Sequence, residues 1–255
     1  MTTQYEKAIA FKALHDSGQS FIIPNPWDQG SALMLQELGY QALATTSGGF
    51  AQTLGRVDGE VTVDEKIEHC RALCEVTDIP VSADFENGFA DAPRDAAENL
   101  LNAATAGIVG ASIEDFSGSE IYDFNLSVER ITACAEAVAG LTFPFMLTAR
   151  SENLIRGVED LDDTIKRLQA YEAAGADVLY APGLRTAGQI KEVLAAVNKP
   201  INVLAPFIPG FSLKEHSELG VCRVSMGGAI ASYVSRASKK VSSEMLESGT
   251  FSWMT

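Results

Sequence analysis

Basic residues are scarce in this chain: 19 Lys and Arg stand against 34 Asp and Glu, giving a formal net charge of −15 at pH 7 over 255 residues. Such an excess of negative charge argues against a surface that binds the phosphate backbone of nucleic acid. It leaves room for a small anionic substrate, because a bound cation and one well-placed arginine reverse the field locally. Cysteine is sparse as well. Cys70, Cys74, Cys134 and Cys222 form no Cys-x-x-Cys pair, and Cys70 and Cys74, four apart on one helical face, read as small apolar core residues. The three histidines, His15, His69 and His216, lie away from strand ends and lack zinc-hydrolase spacing. Neither a G-x-S-x-G elbow nor a G-x-G-x-x-G turn occurs, which counts against a serine hydrolase and a dinucleotide-binding sheet. No apolar run approaches the roughly 18 to 20 residues of a membrane span, and the N-terminus has no basic-then-apolar leader. The expectation is therefore a cytoplasmic protein without membrane contact. No stretch rich in Pro, Gly or Ser divides the chain, and 46% hydrophobic residues suffice for one large core, so residues 1–255 read as a single domain.

What the chain does have is carboxylates at strand ends. Asp84 and Glu86 in VSADFENG, and Glu114 and Asp115 in GASIEDF, each close an apolar, β-branched run. Carboxylates crowded into one water-poor pocket repel each other and raise each other's pKa, so a cation among them is what makes the cluster tolerable. Oxygen donors of this kind suit Mg²⁺, or Mn²⁺, rather than a soft metal. Glu114 and Asp115 are strand neighbours and point to opposite faces; Asp115 reads as structural.

Eight runs read as strands: 21–25, 42–47, 81–86, 110–115, 145–150, 177–182, 201–206 and 221–227. Between them, segments 64–76, 94–106, 128–138, 160–174 and 186–197 carry apolar residues at helical spacing. Glycines 39, 107, 140, 175 and 220 stand where a helix stops and the next strand begins. Eight strand-helix units in 255 residues predict an α/β fold, a (β/α)₈ or TIM barrel, with an extra leading helix over 5–17 and a long final helix after Gly228. In such barrels chemistry sits at the C-terminal strand ends, where Ser47, Asp84, Glu86, Glu114, Arg150 and Ser225 fall, with Asn202 nearby. Trp27 and Tyr180 read equally as core or pocket wall. Gly227 and Gly228 read as an anion-binding turn or a plain strand-to-helix turn.

The ordered set NPWD, TTSGG, GRVDGE, SADFENGF, GASIED, TARSENL and NVLAP resembles the isocitrate lyase and phosphoenolpyruvate mutase superfamily over nearly the whole chain. On that resemblance Asp84 ligates Mg²⁺ directly, while Glu86, Asp58 and Glu114 hold it through water; Mg²⁺ gives up its waters reluctantly. Asp58 also sits in an Asp-Gly pair that suits an ordinary turn. Ser47, Gly48 and Gly49 would grip the substrate carboxylate with backbone N–H groups and a hydroxyl. Arg150 would pair with substrate oxygens, its planar fork suiting a carboxylate or phosphonate, and Asn202 would line the same site.

The implied activity is Mg²⁺-dependent cleavage of a C–C bond in a small α-oxo or α-hydroxy carboxylate through a metal-stabilised enolate. Two alternatives stay open: a C–P mutase or hydrolase acting on phosphonopyruvate, and a non-catalytic metabolite-binding barrel. The loop after the fourth strand, a lid in this superfamily, reads DFSGSEIYDFNL. It lacks the Lys-Lys-Cys-Gly-His or Lys-Arg-Cys-Gly-His of the isocitrate and methylisocitrate lyases and the Lys and Asn of the phosphonopyruvate mutases. Gly228 stands where the oxaloacetate decarboxylase branch has histidine. The chain thus resembles the short-loop group, and its lid would bring a hydroxyl, from Ser117, Ser119 or Tyr122, toward the ligand. The resemblance also implies a homotetramer, a dimer of dimers, with the final helix, 229–246, exchanged with a neighbouring subunit; its apolar residues would equally cover the chain's own barrel.

Overall fold

Runs of alternating character form eight parallel strands in the computed structural model, which describes residues 2–254. They are β1 (Phe21–Ile23), β2 (Leu43–Ala44), β3 (Val81–Asp84), β4 (Gly110–Glu114), β5 (Met146–Arg150), β6 (Val178–Tyr180), β7 (Ile201–Leu204) and β8 (Arg223–Ser225). From β2 to β8 each strand pairs with its sequence neighbour, and β1 pairs with β8. Between β1 and β2 the barrel closes without a ladder. The Ala44 N–H donates to Pro24 O at 3.0 Å, and Asn25 Nδ2 donates to Thr45 O at 3.1 Å.

The helices are α1 (Gln4–Asp16), α2 (Gln29–Glu37), α3 (Ser47–Thr53), α4 (Val63–Val76), α5 (Pro93–Ala104), α6 (Phe124–Ala139), α7 (Leu161–Ala173), α8 (Ala187–Ala196), α9 (Leu213–Leu219) and α10 (Ala229–Ser248). The expected (β/α)₈ barrel is present, with its leading and final helices. Reciprocal capping boxes start α1 (Thr3 and Glu6), α4 (Thr62 and Glu65) and α9 (Ser212 and Glu215), satisfying backbone donors that the first helical turn leaves over.

Strand alternation divides the interior in two. Val81, Ala83, Ala111, Ile113, Leu147, Ala149, Val203 and Val224 face the helices and form the main core. Their neighbours, such as Ser82, Asp84, Ser112, Glu114, Thr148 and Arg150, lie on the barrel's inner face. At the N-terminal end α1 plugs the barrel: Ala8 and Phe11 pack with Phe21, Ile23, Val109, Met146 and Val178. A Cβ on Gly110 would come within 2.9 Å of Phe11 Cε1 and 2.8 Å of Met146 O, so only glycine admits the plug.

Helix α10 covers its own barrel only in part. Ala231 is its one buried residue among those described, while Tyr233, Val234 and Leu246 are exposed, as are Phe251, Trp253 and Met254 beyond it. Among the described residues no helix is long and apolar enough to cross a membrane.

Candidate functional site

Asp84 ends β3 on the inner face, where neighbouring elements converge on it. Its Oδ2 accepts from the Ser47 N–H at 3.2 Å and the Ser47 hydroxyl at 3.1 Å, and its Oδ1 accepts from Ser112 Oγ at 3.4 Å. Arg150 Nη1 lies 3.5 Å from Asp84 Oδ1 and 3.4 Å from Glu114 Oε2. Beneath them the fully buried Lys66, from α4, donates to Thr45 Oγ1 at 3.1 Å. Burial raises the Asp84 pKa, but the charges of Arg150 and Lys66 and the two bonds from Ser47 outweigh it and hold the carboxyl below its ordinary value. Asp84 is therefore ionised and ready to ligate a cation.

Glu86 is in the opposite situation. Burial, reinforced by repulsion from Asp84 and Asp58, pushes its carboxyl up to about 7 against the pull of Lys66 and Arg150. Its Oε1 is buried and has no hydrogen-bond partner, a costly arrangement for a carboxylate. Its backbone sits at φ 48°, and Phe89 at φ 57°, both uncommon for residues with a side chain. The segment is held there by its surroundings. The buried Arg130 on α6 donates to the carbonyl oxygens of Asn87, Ala90 and Asp91. Asn87 Nδ2 donates to the Tyr122 hydroxyl at 2.9 Å, which donates on to Asp91 Oδ1 at 2.5 Å.

Glu114, ending β4, is driven well above the ordinary carboxylate value by burial first and then by Glu152 and Asp84, with Arg150 and Arg156 opposing. Asp115 turns to the helix side: it accepts from the Tyr171 hydroxyl at 2.5 Å, from Arg167 Nη1 at 3.1 Å and from the Glu152 N–H at 2.7 Å.

Ser47, Asp58, Glu86, Glu114, Arg150 and Arg156 line one cavity of about 470 Å³, with Phe116, Ser117 and Gly118 of the loop after β4. Asp58 lies against Gly48, where a Cβ would stand 3.3 Å from its Cγ. Gly49 has a different task. Its N–H donates to Thr46 Oγ1 at 3.2 Å, and a Cβ there would meet Thr46 Cγ2 at 2.5 Å and Trp27 Cβ at 3.1 Å. Close packing, not an open N–H, is what requires glycine at that position. Asn202 lies deeper, in a pocket of about 50 Å³ that shares Arg150 and holds Tyr180, Arg223 and Ser225. Its Nδ2 donates to Ser225 Oγ at 2.9 Å and its Oδ1 accepts from Arg223 Nε at 2.8 Å. Tyr122 is not brought to the cavity. It is buried, bonded to Asn87 and Asp91 and stacked under Arg130, whose guanidinium carbon is 4.4 Å from the ring centroid. In the loop after β4 the one hydroxyl lining the cavity is that of Ser117.

The donor set fits a hard divalent cation held largely through water. Among the described residues no three Asp, Glu, His or Cys side chains are arranged to enclose an ion by themselves. Asp84 offers an ionised carboxylate. The unpartnered Glu86 Oε1 and the buried Glu114, whose carboxyl is pushed above its ordinary value, are groups whose electrostatic cost a dication with its water shell relieves.

Lys66, Arg130, Glu152 and Arg156 join the site or its support without standing out in the sequence. Lys66 shares a face with His69, Cys70 and Leu73, the buried residues of α4, and that spacing was its available signal. Glu152 and Arg156 lie in the turn after β5, where no periodicity marks them.

Comparison with known proteins agrees with this geometry. A family model described as phosphoenolpyruvate phosphomutase matches residues 11–246. The crystal structure of a protein from Burkholderia cenocepacia J2315, provisionally assigned as a lyase/mutase, superposes with a TM-score of 0.96 at 49% identity, covering 98% of this chain and 92% of that one. An uncharacterized protein of Mycobacterium tuberculosis H37Rv is 33% identical over 86% of this chain and 82% of its own length. The 2-methylisocitrate lyase of Escherichia coli K12 is 30% identical over 75% of this chain and 67% of its own. A match that takes in all eight strands means that the chain belongs to the phosphoenolpyruvate phosphomutase family, within the isocitrate lyase and phosphoenolpyruvate mutase superfamily of carbon–carbon lyases and phosphonomutases.

Proposed function

We propose that the chain is a Mg²⁺-dependent lyase that cleaves a C–C bond in a small α-oxo or α-hydroxy carboxylate. The observation that carries this reading is the unpartnered, buried Glu86 Oε1 beside Asp84 and Glu114, with the Arg150 guanidinium among them. Asp84 would hold the ion directly, and Glu86, Asp58 and Glu114 would hold its waters. When bound, Mg²⁺ supplies Lewis-acid stabilisation of the negative charge that bond cleavage leaves on an α-oxo acid.

The chain's own residues do the rest. Glu152 takes the Arg150 Nε, which orients the fork so that its Nη groups meet the oxygens of the reacting acid. The Ser47 hydroxyl stands at the same rim as Asp84. No thiol or imidazole lines the cavity, so the leaving fragment takes its proton from Ser117 or from water, and a hydroxyl is a weak acid for that work near neutral pH. Slow turnover is the expected consequence. The relationship to the 2-methylisocitrate lyase of Escherichia coli supports C–C cleavage over the phosphonate alternatives.

The exposed apolar residues of α10, Tyr233, Val234 and Leu246, support packing against another copy of the chain in a homotetramer.

The test is a screen of oxaloacetate, methylisocitrate, dimethylmalate and phosphonopyruvate with and without Mg²⁺, read by keto-acid release and by ³¹P NMR. Mg²⁺-dependent keto-acid release is expected. A new phosphorus resonance from phosphonopyruvate alone would replace the reading with C–P chemistry, and tight binding without turnover of any of the four would replace it with a metabolite-binding role.

A further inference from the structure

Glu152 is fully buried and divides its two oxygens between two arginines that line the cavity. Its Oε1 accepts from Arg150 Nε, and its Oε2 accepts from Arg156 Nε at 2.9 Å. One carboxylate thus keeps two guanidinium forks within the length of one small molecule. Arg150 turns its Nη1 toward Asp84 and Glu114, the acids of the proposed metal site. The Nη groups of Arg156 make no hydrogen bond among the described residues; beyond the Nε bond to Glu152, Nη2 has only a long ion pair with Glu114 Oε1, at 3.8 Å.

Arg156 is nonetheless fixed in direction. Its guanidinium carbon lies 3.8 Å from the ring centroid of Phe116, so Glu152 sets its inner edge and Phe116 its face. The side chain is 39% exposed and lines the cavity on the side formed by Phe116, Ser117 and Gly118. A planar fork with free outer donors, oriented in advance and facing a cavity, is built to take an anion. The first fork already stands at the metal-site acids. The second has only its long pair with Glu114 until a ligand brings a second acid group.

Resting on the proposed function for the α-oxo end of the ligand, we infer that Arg156 binds a second anionic group at the ligand's far end, a carboxylate or a phosphonate. It is then the residue that selects short dianions over monoanions of the same size. The competing reading is a latch: Arg156 would do no more than tie the turn after β5 to the loop after β4 through Glu152 and Phe116. A latch would affect every ligand of the cavity alike.

The experiment is calorimetric titration of the Mg²⁺-loaded protein with oxalate, 2-oxobutyrate, oxaloacetate and phosphonopyruvate, for the wild type, Arg156→Gln and Arg156→Lys. Oxaloacetate replaces the terminal methyl of 2-oxobutyrate with a carboxylate, so this pair isolates the second charge. The wild type should prefer oxaloacetate or phosphonopyruvate to 2-oxobutyrate, and whichever binds tighter identifies the acid group taken. Arg156→Gln should lose roughly tenfold or more in affinity for oxaloacetate and phosphonopyruvate, the loss expected for one charge-assisted contact, while 2-oxobutyrate and oxalate, which is too short to bring an acid group to the far end, stay within about twofold. Arg156→Lys should recover part of the loss, because it restores charge without the fork. Equal weakening of all four ligands by Arg156→Gln, or none, overturns the inference while leaving the proposed function in place. If the wild type binds none of the four with Mg²⁺, the proposed function falls and the inference falls with it.

Discussion

Tyr171 donates its hydroxyl to Asp115 Oδ2 on the helix side of β4, while Glu114, one residue earlier, faces the cavity. Asp115 also accepts from the backbone N–H of Glu152, the residue that holds both Arg150 and Arg156. A buried pair outside the cavity therefore supports the site from behind.

Removing one hydrogen bond from that pair should be tolerated, and removing the acid should not. Tyr171→Phe leaves Asp115 with Arg167 and Glu152 and should cost about 1 to 3 kcal/mol in urea unfolding. Asp115→Ala leaves Arg167 with Asp163 but strands the Tyr171 hydroxyl and the Glu152 N–H, and should cost more, about 3 kcal/mol or above. Equal effects of the two variants would mean that Asp115 does not anchor the network.

Asp84→Ala should abolish Mg²⁺ binding in titration calorimetry while the far-UV circular dichroism stays that of the folded barrel. In the wild type, Mg²⁺ must displace protons from Glu86, whose pKa stands at about 7. Affinity should therefore rise from pH 6 to pH 8, with proton release visible as a dependence of the binding heat on buffer ionisation. A heat independent of buffer would show that the ion does not engage this acid.

Arg150→Lys keeps the charge and loses the fork. Loss of the bidentate geometry, together with the Glu152 contact that orients it, should lower kcat/KM by about tenfold or more, equal to roughly 1.4 kcal/mol or more. Wild-type kinetics in this variant would place Arg150 outside the reaction.

Acid should weaken the fold through two histidines. Burial, helped by Arg223, lowers His15 to about 4. Burial, helped by Lys66, lowers His69 to about 3. The unfolded chain binds protons at these residues near pH 6.5, before the folded one does. Their contribution is therefore fully present above pH 6.5 and is lost as pH falls toward 4, by on the order of 3 kcal/mol each. Stability measured in urea at pH 7, 5.5 and 4.5 should decline, and His69→Phe, which keeps the stack on Phe50, should flatten the curve. An unchanged slope in that variant would show that His69 is not one of the groups that titrate.

The fold was legible because each strand carries its own alternation and each long helix its own period. Asp84, Glu86 and Glu114 could be placed at strand ends for the same reason. Helices α2 and α9 were marked only by the glycines that follow them, Gly39 and Gly220, and α3 by nothing: at 9, 7 and 7 residues they are too short for a periodic stripe to stand out. Arg130 was illegible for another reason. A buried arginine looks like a surface arginine until the carbonyl oxygens of Asn87, Ala90 and Asp91 are brought around it. Tyr122 looked like a lid hydroxyl from its position in the loop, and only the tertiary bonds to Asn87 and Asp91 reveal it as part of the support under Glu86. Glu152 and Arg156 belong to a turn whose meaning lies wholly in what it meets across the cavity.

The seam between β1 and β2 has a mechanical consequence. Asn25 donates to Thr45 O and accepts from the N–H groups of Met226 and Gly227, so one amide fastens the first strand to both of its neighbours at the rim where the ligand enters. Elsewhere the hoop is riveted by ladders of several bonds; here it is closed by a clasp. The clasp, not a ladder, sets the width of the mouth at residues 24–25 and 44–46, and Asn25, Ala44 and Thr45 also line the small pocket beneath Asp84 and Arg150.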